Sequence, residues 1–115
     1  MSRQKGNLAE EAAAAFLQRQ GYTILARNYT VRGAEVDLIA REGDTIAFVE
    51  VKHRKSSEFG APREAVTHAK RKRICAAALR WLQENNLPEA AVRFDIVEST
   101  PQGLALLRAA FDYTP

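Results

Sequence analysis

Two strand-like runs joined by a short turn signal constrain this chain more than any other feature. Glu35-Val36-Asp37-Leu38-Ile39-Ala40 and Thr45-Ile46-Ala47-Phe48-Val49-Glu50-Val51-Lys52 flank Arg41-Glu42-Gly43-Asp44, which is the pattern of a β-hairpin. The second run is apolar on successive residues from Ile46 to Val49. That predicts a strand buried on both faces, and such a strand needs helices above and below its sheet.

The flanking segments supply those helices. Leu8 to Gln20 is rich in Ala and Glu, with Asn7 as the expected N-cap and Gly21 as the stop. Its expected apolar side is Leu8, Ala9, Ala12, Ala15 and Phe16, with Glu10 and Glu11 in the first turn, where the helix dipole favours acids. Tyr22 to Val31 reads as a strand. After a loop from Ser56 to Pro62, Arg63 to Glu84 reads as a long helix ended by Asn85-Asn86. Val92 to Val97 and Gly103 to Leu107 read as two further strands. The expected fold class is α/β, a mixed central sheet flanked by helices in the order α-β-β-β-α-β-β. At 115 residues, 46% of them hydrophobic, the chain fits one globular domain over residues 1–115.

Several classes are excluded. One cysteine, Cys75, allows neither an internal disulfide nor a Cys-based zinc site. No apolar run approaches the roughly 20 residues of a membrane helix, and residues 1–7 lack the apolar stretch of a signal peptide. A cytoplasmic protein with no membrane partner is the expectation.

The hairpin also carries the chemistry. Side chains alternate along a strand, so Glu35 and Asp37 share one face, and Glu50 and Lys52 share another with Ile46 and Phe48. A two-residue turn at Glu42-Gly43 sets Asp37 opposite Phe48, and a four-residue loop sets Asp37 opposite Glu50. Either even-length loop places Asp37, Glu50 and Lys52 on one face, because only a one-residue slip turns a strand over. Acids on an otherwise apolar face are costly without compensation, and clustered carboxylates tend to hold a proton. A divalent cation relieves both problems, and oxygen ligands suit Mg²⁺ or Mn²⁺. The nearby lysine would then hold a water or a phosphate oxygen. The plainer alternative pairs these acids with neighbouring arginines such as Arg32 or Arg54.

The net charge is +3, and its distribution says more than its size. Lys52, Arg54, Lys55, Arg63, Lys70, Arg71, Lys72 and Arg73 fall in a segment whose only acids are Glu58 and Glu64. That segment carries +6 and the remainder −3. Lys70 and Arg73, three apart, share a helix face and suit phosphate contacts together with Arg54 and Lys55. Arg71 and Lys72 read as plain surface. So do His53 and His68, while Cys75, Phe16 and Trp81 read as core. Asp95 is explained by pairing with Arg93 or with a backbone amide.

Gly6-Asn7-Leu8-Ala9-Glu10, Gly33 to Ala40, Phe48-Val49-Glu50-Val51-Lys52, Gly60 with Pro62, Lys70 with Arg73, and Arg93-Phe94-Asp95 together resemble the YraN-like family of small, uncharacterised bacterial proteins. The resemblance spans about residues 6 to 98. That family is similar to the restriction-endonuclease-like PD-(D/E)xK nucleases, with archaeal Holliday-junction resolvases among its closer structural relatives. The resemblance implies that Asp37 and Glu50 ligate the metal, with the Val51 carbonyl as third ligand. It implies that Lys52 is the motif lysine and that Glu10 is the helix acid completing such sites. Two departures stand out: Val36 rather than Pro precedes Asp37, and Ala34 stands where Gly is common. The implied activity is metal-assisted hydrolysis of DNA phosphodiesters, on branched or damaged DNA, with Mg²⁺ or Mn²⁺ as cofactor. A non-catalytic nucleic-acid-binding module, or an interaction protein of a repair or recombination assembly, is the rival reading. A domain this small has limited surface to track DNA, so a partner protein or a homodimer is also expected.

Overall fold

The computed structural model describes residues 2–54 and 66–115, with side chains from residue 8 onward. Helix α1 (Ser2–Arg19) leads into strands β1 (Thr23–Val31), β2 (Ala34–Glu42) and β3 (Thr45–His53), helix α2 (His68–Glu84), and strands β4 (Ala91–Thr100) and β5 (Gly103–Phe111). The α-β-β-β-α-β-β order and the mixed sheet are those expected. The strands form one sheet in sequential order, β1 to β5. All neighbours are antiparallel except β3 and β4, whose parallel pairing requires the crossover that α2 provides.

A core lies on each face. Ala13, Ala14 and Leu17 of α1 pack on Leu38, Ala40, Ala47, Val49 and Val97. Ile74, Ala77, Ala78 and Trp81 of α2 pack on Ile39, Ile46, Phe48, Phe94 and Ile96. Consecutive residues of β3 therefore enter opposite cores, which is why this strand is apolar without alternation. Phe48 meets the Trp81 ring edge-on at 6.0 Å between centroids. Among the described residues no helix is long and apolar enough to cross a membrane.

Local details differ from the sequence reading. Helix α1 begins at Ser2, so Asn7 lies inside it rather than at its N-cap, and Glu10 and Glu11 are not first-turn acids. Its buried stripe is Ala13, Ala14 and Leu17, while Leu8 is exposed. Glu10 continues that stripe at the i, i+3, i+4, i+7 spacing and so belongs to the sheet-facing side. Helix α2 begins at His68, after the N-cap Thr67, whose hydroxyl accepts from the Lys70 N–H at 3.2 Å. The expected loop from Ser56 to Pro62 and the expected helix start at Arg63 lie outside the described residues. Arg41 and Glu42 remain in β2, and the turn is the residue pair Gly43-Asp44, with Gly43 at φ 59°. Glu42 pairs with Thr45 and Leu38 with Val49, the register that carries Asp37 towards Glu50.

Asp95 lies on β4, fully buried, and accepts from Tyr22 Oη at 2.7 Å, from Arg93 Nε at 2.9 Å and from the Ala109 N–H at 2.9 Å. Arg93 also reaches Glu42, which Arg108 grips from the other side. Both partners anticipated for Asp95 are present, and the network ties β2, β4, β5 and the start of β1 together.

Candidate metal centre

The β2–β3 ladder ends at the Leu38–Val49 pair. Beyond it the Val51 N–H donates to Asp37 Oδ2 at 2.8 Å. A side-chain carboxylate thus replaces the backbone acceptor that the ladder no longer provides. Here β2 also changes phase: Val36 belongs to the core under α2, but Leu38, two residues on, belongs to the core under α1. Facing this point on β1, between the Arg27–Leu38 and Tyr29–Val36 pairs, Asn28 adopts φ 51°. Its side chain hydrogen-bonds Glu10.

This end of the sheet opens into a cleft of about 320 Å³ lined by Glu35, Asp37, Glu50, Val51, Lys70 and Arg73 among others. Carboxylate oxygens of Glu10, Glu35 and Asp37 lie within 4.8 Å of one another. Glu50 is only 3% exposed. Its Oε1 is held by Lys70 Nζ at 2.8 Å, while Oε2 is buried with no hydrogen-bond partner among the described residues, as is Glu10 Oε2.

The electrostatics follow from that crowding. Burial first, and then the charges of Glu50, Glu10 and Glu35, push Asp37 up to about 7, against the pull of the Val51 N–H. Burial raises Glu10 as well, with Glu35 and Glu50 adding to it and Asn28 and Arg27 opposing. The two lysines move apart. Burial and the neighbouring Lys70 lower Lys52. Burial would also lower Lys70, but its bonds to Glu50 and Lys52 outweigh that and raise it. Lys70 therefore keeps its proton more firmly than Lys52.

The structure brings Asp37, Glu50, Val51, Lys52, Glu10, Lys70 and Arg73 to one end of the sheet. Glu50 and Lys52 come from β3, Asp37 from β2, Glu10 from α1, and Lys70 and Arg73 from α2. Arg73 is exposed at the cleft. Arg54 is elsewhere engaged: its guanidinium binds Glu98 at 2.8 Å and is 12% exposed. The arginine pairing considered for the acids thus falls on Glu98. Lys55 lies outside the described residues. Arg71 is not plain surface, because its Nε donates to the Val66 carbonyl at 2.9 Å and its guanidinium lies 5.3 Å from the Phe111 ring centroid. Two features were missed in the sequence: the Lys70–Glu50 bond and the role of Asn28. The signals were present. Lys70 precedes Ile74, Ala77 and Trp81 on one helical row, as Glu10 precedes Ala13, Ala14 and Leu17, and an asparagine in a strand tolerates positive φ.

The residues fit a divalent cation. Oxygen donors of Glu10, Glu35 and Asp37 converge, two buried carboxylate oxygens have no hydrogen-bond partner among the described residues, and the neighbouring acids raise the proton affinity of Asp37 and Glu10. Similar proteins share most of this chain. It is 47% identical over 110 residues to a UPF0102 protein of Desulforapulum autotrophicum, covering 92% of this chain and 91% of that one. It is 45% identical over 114 residues to one of an Anaeromyxobacter species, covering 96% and 86%. The model of the uncharacterised protein family UPF0102 matches residues 9–98, a span that runs from beside Glu10 to Glu98 and so encloses the whole cleft. On that match and those identities, the chain belongs to the uncharacterised protein family UPF0102.

Proposed function

We propose that this protein is a divalent-cation-dependent nuclease that hydrolyses phosphodiester bonds, with DNA as its first candidate substrate. The observation that carries the reading is Glu50, a nearly fully buried carboxylate with one oxygen unpartnered among the described residues, beside an Asp37 that burial and like charge push up to about 7. A fold gains nothing from burying acids in this way unless a cation belongs there.

Asp37 and Glu50, with the Val51 carbonyl, would hold Mg²⁺ or Mn²⁺, and Glu10 and Glu35 would widen the oxygen donor set. When bound, such an ion offsets phosphate charge and makes water a better nucleophile at neutral pH. Lys52 reaches the same end of the sheet and would orient the attacking water or steady negative charge on the phosphorus oxygens. Lys70, with its firmly held proton, and the exposed Arg73 would draw the phosphate backbone to the cleft. The resemblance to PD-(D/E)xK nucleases supports the same assignment.

The test is incubation of the protein with Mg²⁺ or Mn²⁺ and a panel of linear, flap and four-way-junction DNA. Cleavage is expected, and Glu50→Gln or Asp37→Asn should each lower it by about a hundredfold or more. Absence of cleavage on every substrate, or cleavage that survives both substitutions, sinks the reading. Salt-sensitive DNA binding that ignores Glu50→Gln but weakens with Arg73→Ala would instead identify a non-catalytic binding module.

A further inference from the structure

Lys70 is oddly placed for a lysine. It is the third residue of α2, where the partial positive charge of the helix N-terminus opposes a cation. The first turn of α2 holds no acid. Thr67 already caps the Lys70 N–H, so the ammonium does nothing for the helix end. It sits instead on Glu50 Oε1 at 2.8 Å, with the Glu50 side chain 4% exposed and its own 35% exposed. One end of this contact is fixed in the protein interior, and the other borders solvent at the mouth of the cleft.

The charge balance of the cleft follows. Asp37 and Glu50 face Lys52 and Lys70, and both acids draw on the charge of each lysine. Lys70 satisfies half of Glu50 and leaves Oε2 without a hydrogen-bond partner among the described residues. A divalent cation entering beside Oε2 meets a carboxylate already neutralised on its other oxygen and must also tolerate a nearby ammonium. In a poorly solvated site that repulsion is costly. A phosphodiester arriving at the cleft mouth offers Lys70 a second anion. Sharing the ammonium with that anion restores charge to Glu50 and strengthens its hold on a cation.

We propose that Lys70 is the resident counter-cation of Glu50, that it weakens divalent-cation binding to the free protein, and that it makes tight loading depend on a phosphodiester in the same cleft. This rests on the reading of Glu50 as a cation ligand. Lys70 is here a positioning residue that acts through Glu50, and by linkage the cation and the phosphodiester tighten each other's binding by the same factor. Such an arrangement keeps the site underloaded until a substrate is present.

The experiment is a Mn²⁺ titration of the full chain at pH 8, read by electron paramagnetic resonance of free Mn²⁺. It is run with and without a short DNA duplex made resistant to cleavage by phosphorothioate linkages. Lys70→Gln is expected to bind Mn²⁺ about tenfold more tightly than the unmodified chain when no duplex is present. Lys70→Met should do the same, which guards against an effect peculiar to glutamine. Lys70→Arg, which keeps the charge, should return the original affinity. The duplex should tighten Mn²⁺ binding several-fold in the unmodified chain and much less in the two neutral variants. Neutral variants that bind Mn²⁺ no more tightly, or a duplex effect equal in all of them, overturn the proposal. Glu50→Gln separates the two levels. If it abolishes Mn²⁺ binding while Lys70→Gln changes nothing, the ligand assignment stands and the role of Lys70 falls. If Glu50→Gln binds Mn²⁺ as before, the ligand assignment fails and takes this proposal with it.

Discussion

Asp37 accepts a hydrogen bond from the Val51 N–H, yet its surroundings still favour its protonated form. Its ordinary value is 3.8 and its value in the fold is about 7. Between those limits the folded chain holds a proton that the unfolded chain has released. The folded state then binds more protons, so stability falls as pH rises from about 4 to 7 and stays low above that range. Asp37→Asn removes the penalty while its amide oxygen can still accept from Val51. In the presence of a chelator this variant should be more stable than the unmodified chain at pH 8, by about 4 kcal/mol, and little different at pH 4. Urea unfolding at both pH values checks this; a variant less stable at pH 8 would show that Asp37 is compensated in the free protein. The acids themselves were readable from the sequence, because alternation along two strands is enough to bring Asp37 and Glu50 together. Helical spacing puts Lys70 on the sheet-facing row of α2, but the identity of its partner, Glu50, was not readable. It depends on where α2 lands on the sheet, and no spacing within one element encodes that.

At the level of elements, the sequence was most informative where turn chemistry is sharp. Gly43 takes the positive φ that the turn requires, and the hairpin register follows from it. Helix starts were less legible. The Ser-Arg-Gln-Lys segment forms helix well enough for α1 to begin at Ser2, and Gly6 within it costs only about 1 kcal/mol relative to Ala. Asn7 is therefore passed over as a cap. In α2 a cap is used: Thr67 offers a side-chain acceptor, and the helix starts behind it. Thr67→Ala should cost about 1 kcal/mol, measurable as a lower urea midpoint. The same change should loosen the turn that aims Lys70 and so shift Mn²⁺ affinity in the direction of Lys70→Gln. Asn28 and Ala109 take positive φ within or beside strands; asparagine tolerates that conformation, whereas nothing in the sequence marks Ala109.

Across the whole molecule, order comes from two unlike polar clusters on neighbouring strands of one sheet. The cleft has an acid in want of a partner. The other cluster is the Asp95 network, in which the buried carboxylate is met by Tyr22, Arg93 and the Ala109 amide. Asp95→Ala leaves the Arg93 guanidinium without its buried partner and should destabilise the fold by about 3–5 kcal/mol, seen as a large drop in melting temperature. Wherever the variant remains folded, its Mn²⁺ stoichiometry should be unchanged, because no member of this network lines the cleft. The Arg93-Phe94-Asp95 stretch is thus architectural, although from sequence alone it stands alongside the site motifs. The parallel crossover has one more consequence, for synthesis of the chain. Glu50 is flanked by Ile96, a strand partner made 46 residues later. A ribosome that has finished the hairpin has therefore produced both acids but not the strand that braces them. Pairing across so long a separation closes late in folding, so the nascent chain should acquire a formed cleft only once β4 has emerged.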